Sequence, residues 1–148
     1  MRRALVSIQL PRAANGRIVL AADVSPWLRP DANTCPDWAF CRTFGRGKGK
    51  HQMVPGWPYS IVAALKAGRT SWTAVVDVVR LEPGADVAAV TTIQIREVVE
   101  QLVEVGQWKP GDPHVLVVLD VGYDARPASP TCWPACLSRS SADSARTG

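Results

Sequence analysis

The sequence lacks three features that would each define a class of protein. No apolar run reaches the roughly 18 residues that a membrane-spanning helix requires. The first residues, Met1–Ile8, contain neither a long apolar core nor the small-residue cleavage site of a secretion signal. We therefore expect a cytoplasmic protein that has no membrane partner.

Cysteine is also scarce, and its spacing disfavours a zinc site. The four cysteines form two pairs with five and three intervening residues, whereas the knuckles of common zinc ribbons have two. Reduced thiols are the expected state. The sequence also contains no G-x4-G-K-[ST] motif, so it lacks a Walker-type phosphate loop. The cysteines are Cys35, Cys41, Cys132 and Cys136.

The composition is that of a soluble globular domain. The chain has 148 residues, of which 47% are hydrophobic and 20% are charged. This length is sufficient for one domain with a hydrophobic core. The net charge of +4 mildly favours a polyanionic partner.

Two apolar runs each lead into an aspartate. The run from Ile18 ends at Asp23, and the run from Val115 ends at Asp120. Continuous apolar runs of this length predict strands that are covered on both faces, the first of them over residues 17–24. Burial of Asp23 at the end of such a strand is costly unless a charged group meets it.

The segment between residues 25 and 58 predicts a long loop, because five prolines interrupt any regular element there. Within it lies a basic, glycine-rich stretch whose cations would attract phosphates without reading sequence. A solvated surface loop is the plain alternative. The cationic residues are Arg42, Arg46, Lys48, Lys50 and His51.

Three tryptophans, Trp27, Trp38 and Trp57, flank this basic stretch. Aromatic side chains near a cationic loop can stack on nucleic-acid bases. Packing against the core is the alternative use of each ring.

The elements after the loop predict a hairpin, a helix and a parallel strand. Residues 59–65 and 71–81 are rich in β-formers and are joined by a short glycine-containing link, which favours an antiparallel hairpin. Residues 91–108 have apolar side chains at helical spacing, with Thr91 or Thr92 as the cap. A helical crossover lays the next strand parallel to its neighbour.

If that neighbour is the Asp23 strand, both carboxylates reach the same edge of the sheet, where ligands bind in such folds. Two carboxylates about 5 Å apart repel by roughly 3 kcal/mol at an effective dielectric near 20. Mg²⁺ prefers oxygen ligands and would remove this repulsion. A single aspartate at a strand end is usually a turn former, but the pair indicates metal-dependent phosphoryl transfer.

Three motifs carry a resemblance to a known family. AADVSPW surrounds Asp23, GRGKGKHQMVPGWPYS spans residues 45–60, and VLDVGYDA surrounds Asp120. They resemble DDE-superfamily transposases of insertion sequences from high-GC bacterial genomes. The resemblance implies an RNase H-like fold and Mg²⁺-dependent endonuclease and strand-transfer activity on transposon ends and target DNA. It also implies an oligomer in the intact family.

By this resemblance, Asp23 and Asp120 are the first two catalytic, metal-binding acids. The third acid of the family is a glutamate after a further strand, and it has no counterpart here. Glu97, Glu100 and Glu104 all precede Asp120. The DNA-end-binding region expected upstream is also missing. We therefore expect an α/β fold with an incomplete RNase H-like mixed sheet: strand, long loop, β-hairpin, helix, parallel strand.

We expect residues 1–125 to form the N-terminal part of the catalytic domain and residues 126–148 to be a disordered tail. The tail has three prolines, five serines and one aliphatic residue larger than alanine, so it cannot bury a core. With GC-rich codons it can be read in another frame as RIAHLLAGLPVEVLGRLR, an amphipathic helix followed by a strand. This suggests a frameshift.

The leading hypothesis is a transposase fragment, truncated at both ends and inactive. The alternative is a non-catalytic DNA-binding remnant. A different Mg²⁺ phosphotransferase on a doubly wound sheet is disfavoured, because the hairpin between the two acids suits a mixed sheet.

Overall fold

A computed structural model describes residues 8–44, 51–66, 68 and 73–119. In this part of the chain, one helix packs on a mixed sheet, and a short 3₁₀ turn covers Ala32–Thr34. The elements are β1 (Val19–Leu28), β2 (Ala39–Phe44), β3 (His51–Leu65), β4 (Thr73–Arg80), α1 (Val87–Glu104) and β5 (Leu116–Leu119).

The sheet is built around the long strand β3. One edge of β3 pairs with β1, and the other edge pairs first with β2 and then with β4, all antiparallel. β5 lies on the far side of β1 and runs parallel to it. The expected hairpin, the parallel strand and the incomplete RNase H-like mixed sheet are therefore confirmed.

Helix α1 covers one face of the sheet. Leu20 of β1, Val62 of β3 and Leu102 of α1 are all completely buried where the helix meets the strands. We call this the covered face. It holds the even-numbered side chains of β1 and, by the pairing register, those of β3.

The opposite face, which we call the open face, holds the odd-numbered side chains of β1 and β3. In the described residues no helix lies on it, and several of its apolar side chains are more than a third exposed. Trp27 of β1, Val78 of β4 and Val118 of β5 are among them.

Helix α1 begins one turn earlier than its apolar spacing predicted. Asp86 caps it by accepting a hydrogen bond from the Ala89 N–H at 3.1 Å, so the prediction of a threonine cap is wrong. Thr91 is instead buried inside the helix. The helix ends at Glu104, and Gly106 follows it with a φ of +74°, which glycine adopts without strain.

The prediction of a structureless loop over residues 25–58 is wrong. β1 continues past Asp23 to Leu28, and β2 pairs with residues 51–56 of β3. We call the antiparallel pair formed by β2 and residues 51–56 of β3 the arm. It extends the sheet beyond the part that α1 covers.

The prolines are tolerated in β3 because each lies where a neighbouring strand has ended. The Pro55 carbonyl accepts from the Arg29 N–H at 2.8 Å, one residue beyond β1. The Pro58 carbonyl accepts from the Leu81 N–H at 2.9 Å, one residue beyond β4. The N–H and C=O of a strand residue point the same way, so each proline forfeits only a bond at a strand end.

No helix within the described ranges has the length and apolar character needed to cross a membrane. Residues 120–148, and with them the predicted boundary at residue 125 and the predicted disordered tail, lie outside the described residues.

Candidate functional site

Asp23 lies in the middle of β1, on the open face. Its neighbour Ala22 is buried against the helix, whereas Asp23 itself is exposed to solvent. Its Oδ1 accepts a hydrogen bond from the Val24 N–H at 2.8 Å, which orients the carboxylate along its own strand. The expectation that Asp23 is buried and needs a charged partner is wrong, because strand alternation turns it away from the core.

β5 brings the second acid-bearing run beside β1. The pairing runs from Val19 opposite Leu116 to Ala22 opposite Leu119. The last described residue of β5 therefore lies opposite the residue that precedes Asp23. Asp120, the next residue in the chain, lies outside the described residues.

The predicted DNA-binding residues are divided between the arm and the segment beyond it. Arg42 is exposed on β2 and pairs in register with Met53, which places it on the open face. His51 is the first residue of β3. The predicted contacts Arg46, Lys48 and Lys50 lie outside the described residues.

The three tryptophans have different environments. Trp27 is 58% exposed, and its ring centroid lies 6.4 Å from that of Tyr59. Trp57 is half-buried, and Trp38 is half-buried and packs edge-on against Phe40 at 4.8 Å. Only Trp27 among the three presents most of its surface to solvent.

A shallow pocket of about 480 Å³ lies on the open face near Trp27. Asp23 and this pocket share the face, since Asp23 and Trp27 are four residues apart in the same strand. The pocket is mainly apolar, and its lining residues are Ser25, Pro26, Trp27, Tyr59, Ile61 and Val78.

A buried polar network on the covered face was not anticipated from the sequence. The Ser60 hydroxyl donates to Gln94 Oε1 at 2.6 Å, and the Gln94 amide donates to the Ser60 carbonyl at 3.1 Å and to Asp77 Oδ2 at 3.0 Å. Thr91 Oγ1 lies 3.2 Å from the Ser60 oxygen, whose single proton is already used, so Thr91 is the donor there. The network ties α1 to β3 and β4 behind the open face.

The sequence contains a weak indication of this buried polar network. Gln94 and Thr91 are polar residues three apart on the helix side that also carries Ile95 and Val98. Asp77 interrupts the apolar run of β4. Polar residues at core positions of two elements indicate a buried network, because each needs a partner.

The described residues supply one ligand of the type that Mg²⁺ prefers. The Asp23 carboxylate offers hard oxygen ligands and is open to solvent. Within the described residues, no three side chains among His, Cys, Asp and Glu lie close enough together to hold a metal ion. A site at Asp23 therefore needs a second acid from elsewhere in the chain.

The family model of the DDE superfamily endonucleases matches residues 1–128. This match covers most of the chain, so the chain belongs to that family. No curated protein and no solved structure matches it significantly.

Proposed function

We propose that this chain carries the first two metal-binding acids of a DNA-cleaving and DNA-joining domain, Asp23 and Asp120. The observation that supports it most is the parallel pairing of β1 and β5. The last pair of this ladder is Ala22 and Leu119. Asp23 is the next residue after Ala22, and Asp120 is the next residue after Leu119. Neighbouring strands lie about 4.8 Å apart, a spacing at which two carboxylates can share a divalent ion.

Each residue has a defined task in this proposal. Asp23 and Asp120 hold Mg²⁺, which when bound lowers the pKa of an attacking hydroxyl and stabilises the leaving oxygen. Solvent exposure of Asp23 leaves room for a DNA phosphate to approach its carboxylate. The Val24 N–H binds Oδ1 of Asp23, so Oδ2 would be the oxygen available to hold the ion.

We propose that these 148 residues alone bind DNA without completing strand transfer. The sequence contains no glutamate after Asp120, where the third acid of the family falls. This makes a non-catalytic DNA-binding protein the second candidate function. Cytoplasmic localisation, an oligomeric state and a frameshifted tail stay predictions.

DNA binding is expected to weaken steeply with salt, because cations that contact phosphates release counterions. Arg42→Ala should lower the slope of log K against log salt by about 0.9, and combined replacement of Arg42, Arg46, Lys48 and Lys50 by about 3 to 4. Arg96→Ala is the matched control, since Arg96 is exposed on α1 and pairs with Glu100. Titrations of duplex DNA at several salt concentrations, followed by fluorescence anisotropy, measure the slope for all three variants.

An unchanged slope in the combined variant would exclude Arg42 and the basic residues that follow it in the sequence as the DNA contact. No measurable DNA binding at any salt concentration would exclude both candidate functions for these 148 residues.

A further inference from the structure

Trp27 is the aromatic residue best placed to contact a ligand near Asp23. It is 58% exposed although it lies within a paired strand of the sheet. Asp23 lies four residues before it on the same face, about 13 Å away at 3.3 Å per residue. Among the described residues, the Trp27 ring contacts the Tyr59 ring at an interplanar angle of 39°, and Trp57 is its cross-strand neighbour.

The pocket beside Trp27 has the size and character of a site for a flat, partly apolar group. Its volume of about 480 Å³ falls within the range of small-ligand pockets. Two aromatic residues, Trp27 and Tyr59, line it together with Ser25, Pro26, Ile61 and Val78. A nucleobase has this combination of a π-face and polar edges.

Charge on the same face favours a nucleic acid over an apolar partner. Arg42 is exposed on the open face of the arm, and the whole chain has a net charge of +4. A phosphate backbone that follows the open face from Asp23 toward Arg42 passes the Trp27 pocket. Because stacked nucleotides are about 3.4 Å apart, the distance from Asp23 to Trp27 corresponds to about four nucleotides.

We propose that the pocket of Trp27 and Tyr59 binds an unpaired base of the DNA strand that Asp23 acts on, within about four nucleotides of the reacting phosphate. This inference rests on the proposed function and specifies the form of its substrate. A base inside a duplex keeps its faces stacked on its neighbours, so only an unpaired base offers a free face to Trp27.

The test compares binding of a duplex with a single-stranded overhang to binding of the same duplex with blunt ends. The overhang carries 2-aminopurine, whose emission falls when it stacks on an aromatic ring. Trp27→Leu should weaken overhang binding by about 5- to 150-fold, the loss of one base–aromatic stack. Trp27→Phe should restore most of that affinity, and blunt-duplex binding should not change.

Two controls accompany the variants. Ile93→Ala removes an exposed apolar side chain from α1, on the other side of the sheet, and should leave overhang and blunt binding unchanged. Thermal melting of Trp27→Leu checks that this variant folds, which is expected because leucine is also apolar. Sedimentation of each variant reports self-association.

Three results would overturn the inference. If Trp27→Leu binds both DNAs as the wild type does, the pocket does not hold a base, while the proposed DNA-binding function stands. If Trp27→Leu reduces self-association and leaves DNA binding unchanged, the open face is an interface between copies. If the wild type binds neither DNA, the proposed function fails and the inference fails with it.

Discussion

Gln94→Leu is expected to lower the free energy of unfolding by about 3 kcal/mol, because it removes three hydrogen bonds from the core. Gln94 is 2% exposed and bonds the hydroxyl and the carbonyl of Ser60 as well as Asp77 Oδ2. Leucine fills a similar volume, but it cannot donate a hydrogen bond to the Ser60 carbonyl or to the Asp77 carboxyl. Urea denaturation measures the change.

The same helix offers a matched control for this prediction. The Gln101 Oε1 atom is buried with no hydrogen-bond partner in the described residues. Gln101→Leu should therefore change stability by less than about 0.5 kcal/mol, or raise it, since removal of an unsatisfied acceptor is favourable. If Gln94→Leu and Gln101→Leu lowered the free energy of unfolding equally, the result would contradict the hydrogen-bond network. It would indicate instead that α1 does not tolerate leucine at either position.

Gly56→Ala is expected to cost about 1 to 3 kcal/mol by forcing β1 away from β3. A Cβ at Gly56 would lie well inside van der Waals contact of the Trp27 carbonyl oxygen and 3.0 Å from the Leu28 Cα. Both contacts are with backbone, so no side-chain rotation relieves them. The variant should also disturb the Trp27 pocket, and its melting temperature is the measurement.

Gly84→Asn is the control for Gly56→Ala. Gly84 has a φ of +78° with open space around its Cα, and asparagine tolerates that conformation better than other side chains do. Its substitution should cost less than about 1 kcal/mol. If Gly56→Ala melts at the wild-type temperature, then the backbones of β1 and β3 at Trp27 and Gly56 lie farther apart than in the structure.

The regular part of the fold could be predicted from sequence because each element there obeys a local rule. The apolar spacing around Ile95 and Val98 is that of a helix, and the glycine-containing link after Leu65 favours a hairpin. The helical crossover then predicts that β5 runs parallel, as it does beside β1. These rules depend only on residues near one another in the chain.

The full length of β3, and with it the arm, could not be predicted because the effect of the β3 prolines depends on distant residues. Pro55 and Pro58 are tolerated because β1 and β4 end opposite them, at Leu28 and Arg80. Sequence spacing does not reveal where a partner strand stops. The same limit applies to the network of Ser60, whose partners come from two other elements.

The assignment of Asp23 and Asp120 as site residues stays a prediction, and the environment of Asp23 differs from the expected one. Asp23 was identified from its position after an apolar run, but its exposure depends on which face α1 covers, and that requires the tertiary fold. The difference in exposure between Trp27 and Trp57 could not be predicted from sequence either. The two are cross-strand neighbours on the open face, yet only Trp27 is largely exposed.

Metal-directed cleavage of the backbone tests the proposal that Asp23 and Asp120 form one divalent-metal site. Fe²⁺ in place of Mg²⁺, with ascorbate and peroxide, cuts a polypeptide near the bound ion. We expect fragments that end near residue 23 and near residue 120, both suppressed by excess Mg²⁺.

Asp23→Asn should remove both cuts if the two acids share the ion as proposed, whereas Glu100→Gln on the exposed side of α1 should leave them unchanged. Mass spectrometry of the fragments gives the positions. Cuts near both residues that disappear together would support the account. Cuts that survive Asp23→Asn, or that fall elsewhere in the chain, would contradict it.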